Sequence, residues 1–578
     1  MAKKPKKTAT AASSTLNQHE ATSTETLASR STQSQRPTWS LIFDTSIRRA
    51  LYLVLLAATY APLSQLILSP VYGSIPSAVY HRYGILASAM LSFAIKGYVP
   101  AQIERFFAAF VFWIPVIHFI LFRSSSFLGN PVGPLVTECL TTYPLITISM
   151  HLAASQFDEL DLSFLSKGFA EAAPSMLNYF LFTIFERLMK GMLPTWMGMN
   201  ILFTRVGLQM LLAATYTAIL PQSLFWPSVP AIAFSTVGNV HAPLTRTTDV
   251  LQNTLALHNY SLIERRESLT GYLSVIEDNE KKFRVLRCDH SLLGGNWLLP
   301  PDPKGKRQVS EPVFAVFTML EAVRLVDRGS KERGGQEKAL NIGLGVGTAP
   351  SALITHGINT TIIELDPIVH LFAVKHFGLP QNHLAYLGDA VGIVETKKAE
   401  EAEQYDYIIH DVFTGGAEPV DLFTFEFLSC LNQMLKPNGV IAINYAGDLA
   451  LPSTSLVYRT ILEIFPSCRV FREDEQIADE NEDSIEQAGE FTNMVFLCNK
   501  GGEPVKFRKA VEADFLGSAS RKAYMVPKFE VPASKFVREG ELLTRANTKV
   551  LEKLHVQSAI GHWKLMRKVV PDAVWENW

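Results

Sequence analysis

Three glycines and three carboxylates are spaced so that they can do chemistry together. Gly343, Gly345 and Gly347 alternate in IGLGVG, directly after the apolar run KALN. Glycine permits a tight turn and lets main-chain N–H groups come close to a ligand, with a helix N-terminus behind them. Glu364 follows Gly343 by 21 residues, at the end of TTIIE, where a carboxylate can accept both hydroxyls of a ribose. Asp389, followed by Ala390 in LGDA, is placed to accept from an adenine amino group. Asp411, which ends YDYIIHD, faces the reacting end of such a ligand. There it can orient a nucleophile and take up its proton. The chain has no G-x-x-x-x-G-K-S/T, so a P-loop is excluded. A nicotinamide site would leave Asp389 and Asp411 without a task.

These groups need strands that end side by side. KALNIG (338–343), TTIIE (360–364), 385–387, YDYIIH (405–410) and GVIAIN (439–444) read as five short buried strands. Helical stretches separate them, one from about Pro350 and one over Leu422–Leu435, the latter closed by a Lys436-Pro-Asn-Gly turn. Two more strands, about 468–473 and 493–498, flank the acidic run 473–490, which reads as a solvated loop. This order predicts a doubly wound, Rossmann-like α/β sheet that binds ligands beyond the carboxyl ends of its strands. Upstream, 265–295 alternates like the strands of a small β unit, and 311–326 has helical spacing. Neighbours on a strand face opposite ways, so His410 is expected to pack under a helix, away from Asp411. His370 and His376, six apart, do not share a helix face, and no metal site is expected.

Charge divides the 578 residues further. The totals, 53 Lys+Arg and 55 Asp+Glu, are nearly balanced, which argues against nucleic acid as a partner. Residues 1–49 form a basic, Ser/Thr-rich tail expected to be disordered. Residues 50–240 carry 15 charges in 191 positions, against 82 in 338 for 241–578. That contrast predicts a polytopic α-helical membrane domain joined to a soluble half. Spans are expected from Leu51 and at about 84–100, 104–122, 132–154, 174–189 and 201–220, six in all. Glu138, Glu186, Arg187 and Arg205 should sit at span ends or pair with one another. Arg48 and Arg49 place the N-terminus in the cytosol under the positive-inside rule, and six spans return the soluble half there. The endoplasmic reticulum is the favoured organelle, with the mitochondrion as alternative. Beyond 240 the divisions are 241–330, the β unit and a helix; 331–500, the nucleoside-binding α/β domain; and 501–578, a helical extension. The five cysteines are scattered, with no C-x-x-C pair, so neither a disulfide framework nor structural zinc is expected and a reducing compartment is preferred. Trp563, Trp575 and Trp578 either anchor at a membrane interface or pack the last helix.

Residues 262–500 resemble the spermidine synthase family and its class I methyltransferase relatives, in the membrane-fused form. IGLGVG, IIELD, LGDA and YDYIIHD stand at the family's nucleoside-binding positions, RESLTGYLSVIED resembles the opening of its β domain, and DVFTGGAEPVDLFTFEFL is similar to the membrane-fused members. The resemblance implies that Glu364 holds the ribose and Asp389 the adenine, and that Asp411 activates an acceptor amine. It implies S-adenosylmethionine or its decarboxylated form as donor, with no metal. Three family positions depart: the donor-binding aspartate is Val346, a Tyr-His-Glu run is Val316-Phe317-Thr318, and a second acidic residue is Thr414. A buried ammonium without a partner is costly, so these losses favour methyl transfer to an amine or other nucleophile. Aminopropyl transfer in polyamine biosynthesis and a non-catalytic nucleoside-binding scaffold or transporter are the alternatives. The acceptor (amine, polyamine or protein) is left open, and the lipid bilayer and a homodimer are further expected partners.

Overall fold

The computed structural model describes residues 45–95, 98–100, 102–157, 166–220, 223–329, 336–412, 415, 418–473 and 491–578. The expected tail lies outside these as far as residue 44, as do Thr414 and residues 474–490 of the acidic run. Residues 45–49, assigned above to the tail, open the first helix.

The first half is a helical bundle. Its members are α1 (Thr45–Tyr72), α2 (His81–Ala94), α3 (Ile103–Phe122), α4 (Val132–Leu140), α5 (Thr142–Phe157), α6 (Lys167–Trp196), α7 (Arg205–Ile219) and α8 (Val229–Val237). Aliphatic and aromatic residues on every side of α1 bury Leu53, Tyr60, Leu63 and Leu68 in one core with Phe107, Ile114, Leu145 and Tyr216. The end of α1 abuts the second half: Trp563 Nε1 donates to the Val71 carbonyl at 2.9 Å and Arg287 Nη2 to that of Pro70 at 2.7 Å. Its start lies at the remote end, where Arg49 pairs with Glu104 at the start of α3. Among the described residues a further pass along the bundle, outside the six expected segments, follows α7. Leu224 N donates to the Arg105 carbonyl at the remote end, and His241 stacks on Trp578 at the near end, 4.6 Å between rings. Proline at 227 and 230 breaks this segment into a 3-10 turn and the short α8, which hides it from a search for long apolar runs. Two of the described helices, α1 and α3, are long and apolar enough to cross a membrane.

The β unit is an antiparallel meander of β1 (Tyr260–Ser268), β2 (Gly271–Asp278), β3 (Phe283–Cys288) and β4 (Ser291–Trp297). The main sheet contains β5 (Lys338–Ile342), β6 (Asn359–Glu364), β7 (Leu384–Leu387), β8 (Tyr405–His410), β9 (Leu435–Asp448), β10 (Ser467–Arg472), β11 (Phe491–Asn499) and β12 (Phe529–Glu530). They lie in the order β12-β10-β11-β9-β8-β5-β6-β7. From β9 to β7 all pairs are parallel; β11, β10 and β12 add antiparallel strands at one edge. The sheet is mixed, and its order reverses at β5, between β6 and β8, which opens a ligand crevice at the carboxyl ends. One face buries Leu340, Ile342, Ile408 and Ile443, the other Ala339, Tyr407, Ile409 and Ala442.

Several local expectations give way to tertiary context. The expected Lys436-Pro-Asn-Gly turn lies within β9: Leu435 pairs with Tyr405 and Val440 with Tyr407, so the intervening residues bulge out of the ladder. The stretch 311–326 yields only α9 (Val316–Met319) and a 3-10 turn over Leu320–Leu325. The C-terminal extension is not all helical, since it supplies β12. Cys468 and Cys498 sit directly opposite in the β10–β11 register, 4.1 Å apart at Cα, and form a disulfide. Thirty residues separate them, so spacing alone gave no sign of the pair. Trp575 and Trp578 are buried where the two halves meet, not displayed at a surface.

Candidate active site

The glycine loop is wedged between two strands. Gly343 has φ 78° and Gly345 φ 55°, both in the left-handed region. A Cβ on Gly343 would lie 2.0 Å from the Asp411 carbonyl oxygen, and one on Gly345 2.3 Å from that of Leu293 on β4. Any side chain would push the loop off the end of β8 or off the β unit. Gly347 caps the helix α10 (Thr348–Thr355). Val346 is buried against Gly294, where an added Cβ would meet its Cγ2 at 2.7 Å. Val346 packs in one cluster with Leu344, Ile354 and Phe377, where an apolar side chain fits better than a carboxylate.

At the end of β6, Glu364 is 7% exposed and its Oε1 accepts the Asp366 N–H at 2.9 Å. Burial pushes its carboxyl up to about 7, against the pull of that N–H. Among the described residues it has no ion-pair partner. Asp366 caps α11 (Pro367–Phe377) through the Ile368 N–H and accepts Ser268 Oγ at 2.7 Å and Thr270 Oγ1 at 2.6 Å. It thereby ties the β unit to the strand end that carries Glu364, a role the sequence reading missed although Glu-Leu-Asp was in view. Asp389 is exposed beyond β7 and caps α12 (Ala390–Lys397), accepting from Val391 N at 3.3 Å and Gly392 N at 3.0 Å; Ala390 is buried. Its carboxylate therefore has a structural task already, and an adenine amino group would have to share it.

Asp411 follows β8 on the face of Tyr407 and Ile409. Its Oδ1 accepts Asn444 Nδ2 at 2.7 Å, and burial pushes the carboxyl up to about 6, opposed by that hydrogen bond. Asn444 ends the run GVIAIN and was given no role in the sequence reading; a polar residue closing a buried strand was the available signal. His410 points the other way, against Phe423 and Phe427, with Nε2 2.9 Å from the Leu422 carbonyl. Burial holds its imidazole down at about 4. Over the Asp411 face lies α9, with Val316 and Thr318 buried and Phe317 packed edge-on to Phe314. The wall is apolar, and Thr318 turns its hydroxyl to the Ala315 carbonyl. His370 faces His383, and His376 pairs with Glu264.

The structure thus brings Gly343, Gly345, Glu364 and Asp411 around the switch point and sets Asp389 and Ala390 two strands away, at the sheet edge. A cradle with no room for side chains and a buried carboxylate without a counter-cation suit a ribose-bearing donor. A second carboxylate with one neutral partner suits an acceptor that loses a proton.

No family model matches the chain. Over 545 residues it is 44% identical to the N-terminal histidine N-methyltransferase of Emericella nidulans, covering 91% of this chain and 96% of that protein. A stretch of 141 residues is 31% identical to the polyamine aminopropyltransferase of Vibrio vulnificus, 24% of this chain and 47% of that enzyme. Among solved structures, a probable spermidine synthase from Corynebacterium glutamicum aligns at a TM-score of 0.33 and 16% identity, over 49% of this chain and 95% of that one. Human methyltransferase-like protein 13 in complex with SAH aligns at 0.26 and 19%, over 38% and 93%.

Proposed function

The chain belongs to the N-terminal histidine N-methyltransferase family, and on that premise we propose that it methylates a ring nitrogen of an N-terminal histidine in a peptide or protein acceptor. The relative's identity runs across both halves of the chain, and this is the observation that carries the reading. S-adenosylmethionine, when bound, supplies an electrophilic methyl group. Glu364 and the glycine loop would hold its nucleoside, and Asp411 would orient the acceptor ring and receive its proton. Val316, Phe317 and Thr318 bring no carboxylate of their own to a polyamine, which supports methyl over aminopropyl transfer. The spermidine synthase resemblance is in this light a distant one, over 24% of the chain.

We also propose that the helical half sits in a membrane. Outward-facing Tyr83, Met90, Phe180 and Trp226 are largely exposed, as lipid-facing side chains would be. Seven crossings put the basic start of α1 and the α/β half on opposite sides. With Arg48 and Arg49 cytosolic, the transferase half faces away from the cytosol, the reverse of the six-span expectation. The Cys468–Cys498 disulfide agrees with an oxidising compartment.

The test is methyl transfer by the full-length protein from labelled S-adenosylmethionine to a peptide beginning with histidine, beside one beginning with alanine. Putrescine with decarboxylated donor serves as a further arm. Label on the histidine peptide alone is expected; aminopropyl transfer without it would reverse the assignment.

A further inference from the structure

Among the described residues, the acceptor end of the site carries two hydrogen-bond acceptors left unfilled. Asn444 is 5% exposed and stands one residue past Ile443, which pairs with His410 across β9 and β8. Its Nδ2 is engaged on Asp411 Oδ1 at 2.7 Å, and its Oδ1 is buried without a partner. An amide oxygen left so destabilises the fold unless something supplies a donor. The direction of the Asn444–Asp411 bond decides what that something is. Because the amide directs one N–H at the carboxylate, its oxygen is turned away from Asp411 and is the atom left without a partner. Among the described residues the other carboxylate oxygen of Asp411 accepts no hydrogen bond either. The pair therefore presents two acceptors, under an apolar wall, and fits a molecule that brings two N–H groups close together.

An N-terminal histidine has that pattern: ring Nδ1 and the α-amino nitrogen are joined through three carbons. We propose that Asn444 is a specificity-determining residue of the acceptor site, its Oδ1 accepting an N–H of the histidine's α-amino group while Asp411 accepts the ring Nδ1–H. This rests on the N-terminal-histidine reading above. Held in this way, the ring is fixed in the tautomer whose lone pair is on Nε2. That lone pair forms the new N–CH3 bond as the donor's C–S bond breaks, the bonding electrons leaving on sulfur. The imidazolium then gives its Nδ1 proton to the Asp411 carboxylate, which returns it to water. A histidine inside a chain has an amide in place of the amine, with a single N–H fixed in the peptide plane, and cannot fill the Asn444 oxygen in the same way.

The experiment uses the full-length protein, S-adenosylmethionine and two peptides that differ only in the first residue: histidine, or the imidazolepropionyl group that lacks the α-amine. Wild-type protein is expected to lose roughly 10- to 100-fold in kcat/KM on the desamino peptide, the effect of leaving one buried acceptor unpaired. Asn444→Ala should treat the two peptides alike while binding S-adenosylmethionine as the wild type does. An Asn444→Ala variant that discriminates as strongly as the wild type overturns the proposal. So does a wild-type protein that uses both peptides equally, a comparison that needs no variant and stands even if Asn444→Ala does not fold. If the wild type binds S-adenosylmethionine but methylates neither peptide, the N-terminal-histidine reading itself fails, and this assignment with it.

Discussion

Buried charge is handled in opposite ways at the junction of the two halves and at the strand ends. At the junction Arg205 is fully engaged: Nε donates to the Leu66 carbonyl at 2.6 Å, Nη1 to Glu267 at 2.9 Å and Nη2 to Asp289 at 3.1 Å. Glu267 also takes the Arg205 main-chain N–H, and Asp289 that of Tyr272. Arg287 beside them donates to the carbonyls of Pro70, Val574 and Trp575. At the strand ends, among the described residues, Asp411 has one neutral partner and Asn444 Oδ1 none. The first arrangement closes on itself and holds elements together. The second leaves valences open at a strand end beside the crevice, where a ligand can complete them.

This contrast can be broken by experiment. The largest effect is expected from Asp411→Asn, with turnover falling about 10²- to 10⁴-fold, the usual contribution of a positioned base. S-adenosylmethionine affinity should hardly change, as read by calorimetric titration; an equal fall in affinity would place Asp411 in donor binding instead. Arg205→Met strands the buried Glu267 and removes one partner of the half-buried Asp289, and should cost about 3–5 kcal/mol of stability. Thermal unfolding reads this, with turnover per folded molecule nearly unchanged; a variant that stays stable but inactive would make the junction part of the site. Glu364→Gln should weaken donor binding about tenfold, the loss of a charged acceptor for a ribose hydroxyl, with little effect on kcat at saturation. The smallest effect is on pH. The Asp411 carboxyl, pushed up to about 6, is ionised above that value and protonated below it. The active form is therefore lost as pH falls through about 6, and kcat/KM for the acceptor should be near half-maximal there. The acceptor imidazole also titrates close by, so the limb belongs to Asp411 only if its position shifts in Asp411→Asn.

Much of the α/β half was legible from residue patterns, and little of how the halves meet. The runs that became β5, β6, β8 and β11 are short, apolar and β-branched, and local pattern suffices for such strands. Their polar ends, Glu364 and Asp411, stand out because a carboxylate closing a buried strand is rare. Asn444 went unweighed because an amide at a strand end has many uses until its partner is known. The bulge at Lys436–Gly439 reads as a turn locally and is overruled by pairing with β8. Val346, seen only as a lost carboxylate, is explained by Gly294, 52 residues earlier in the chain.

The sequence by itself determined the succession of β5 to β11 along the chain, the Gly343–Gly347 loop, the carboxylates at 364, 389 and 411 and the charge-poor first half. All of these follow from composition or from periodicity over a few residues. Only the tertiary structure decided that Cys468 meets Cys498, that Trp575 and Trp578 close the junction, and that Arg205 pairs with Glu267 and Asp289. It alone decided that Asn444 turns its donor to Asp411 and keeps its oxygen free. The physical reason is the same in each case: these are meetings of side chains tens to hundreds of residues apart, and their energies depend on burial and geometry that no local stretch of chain contains.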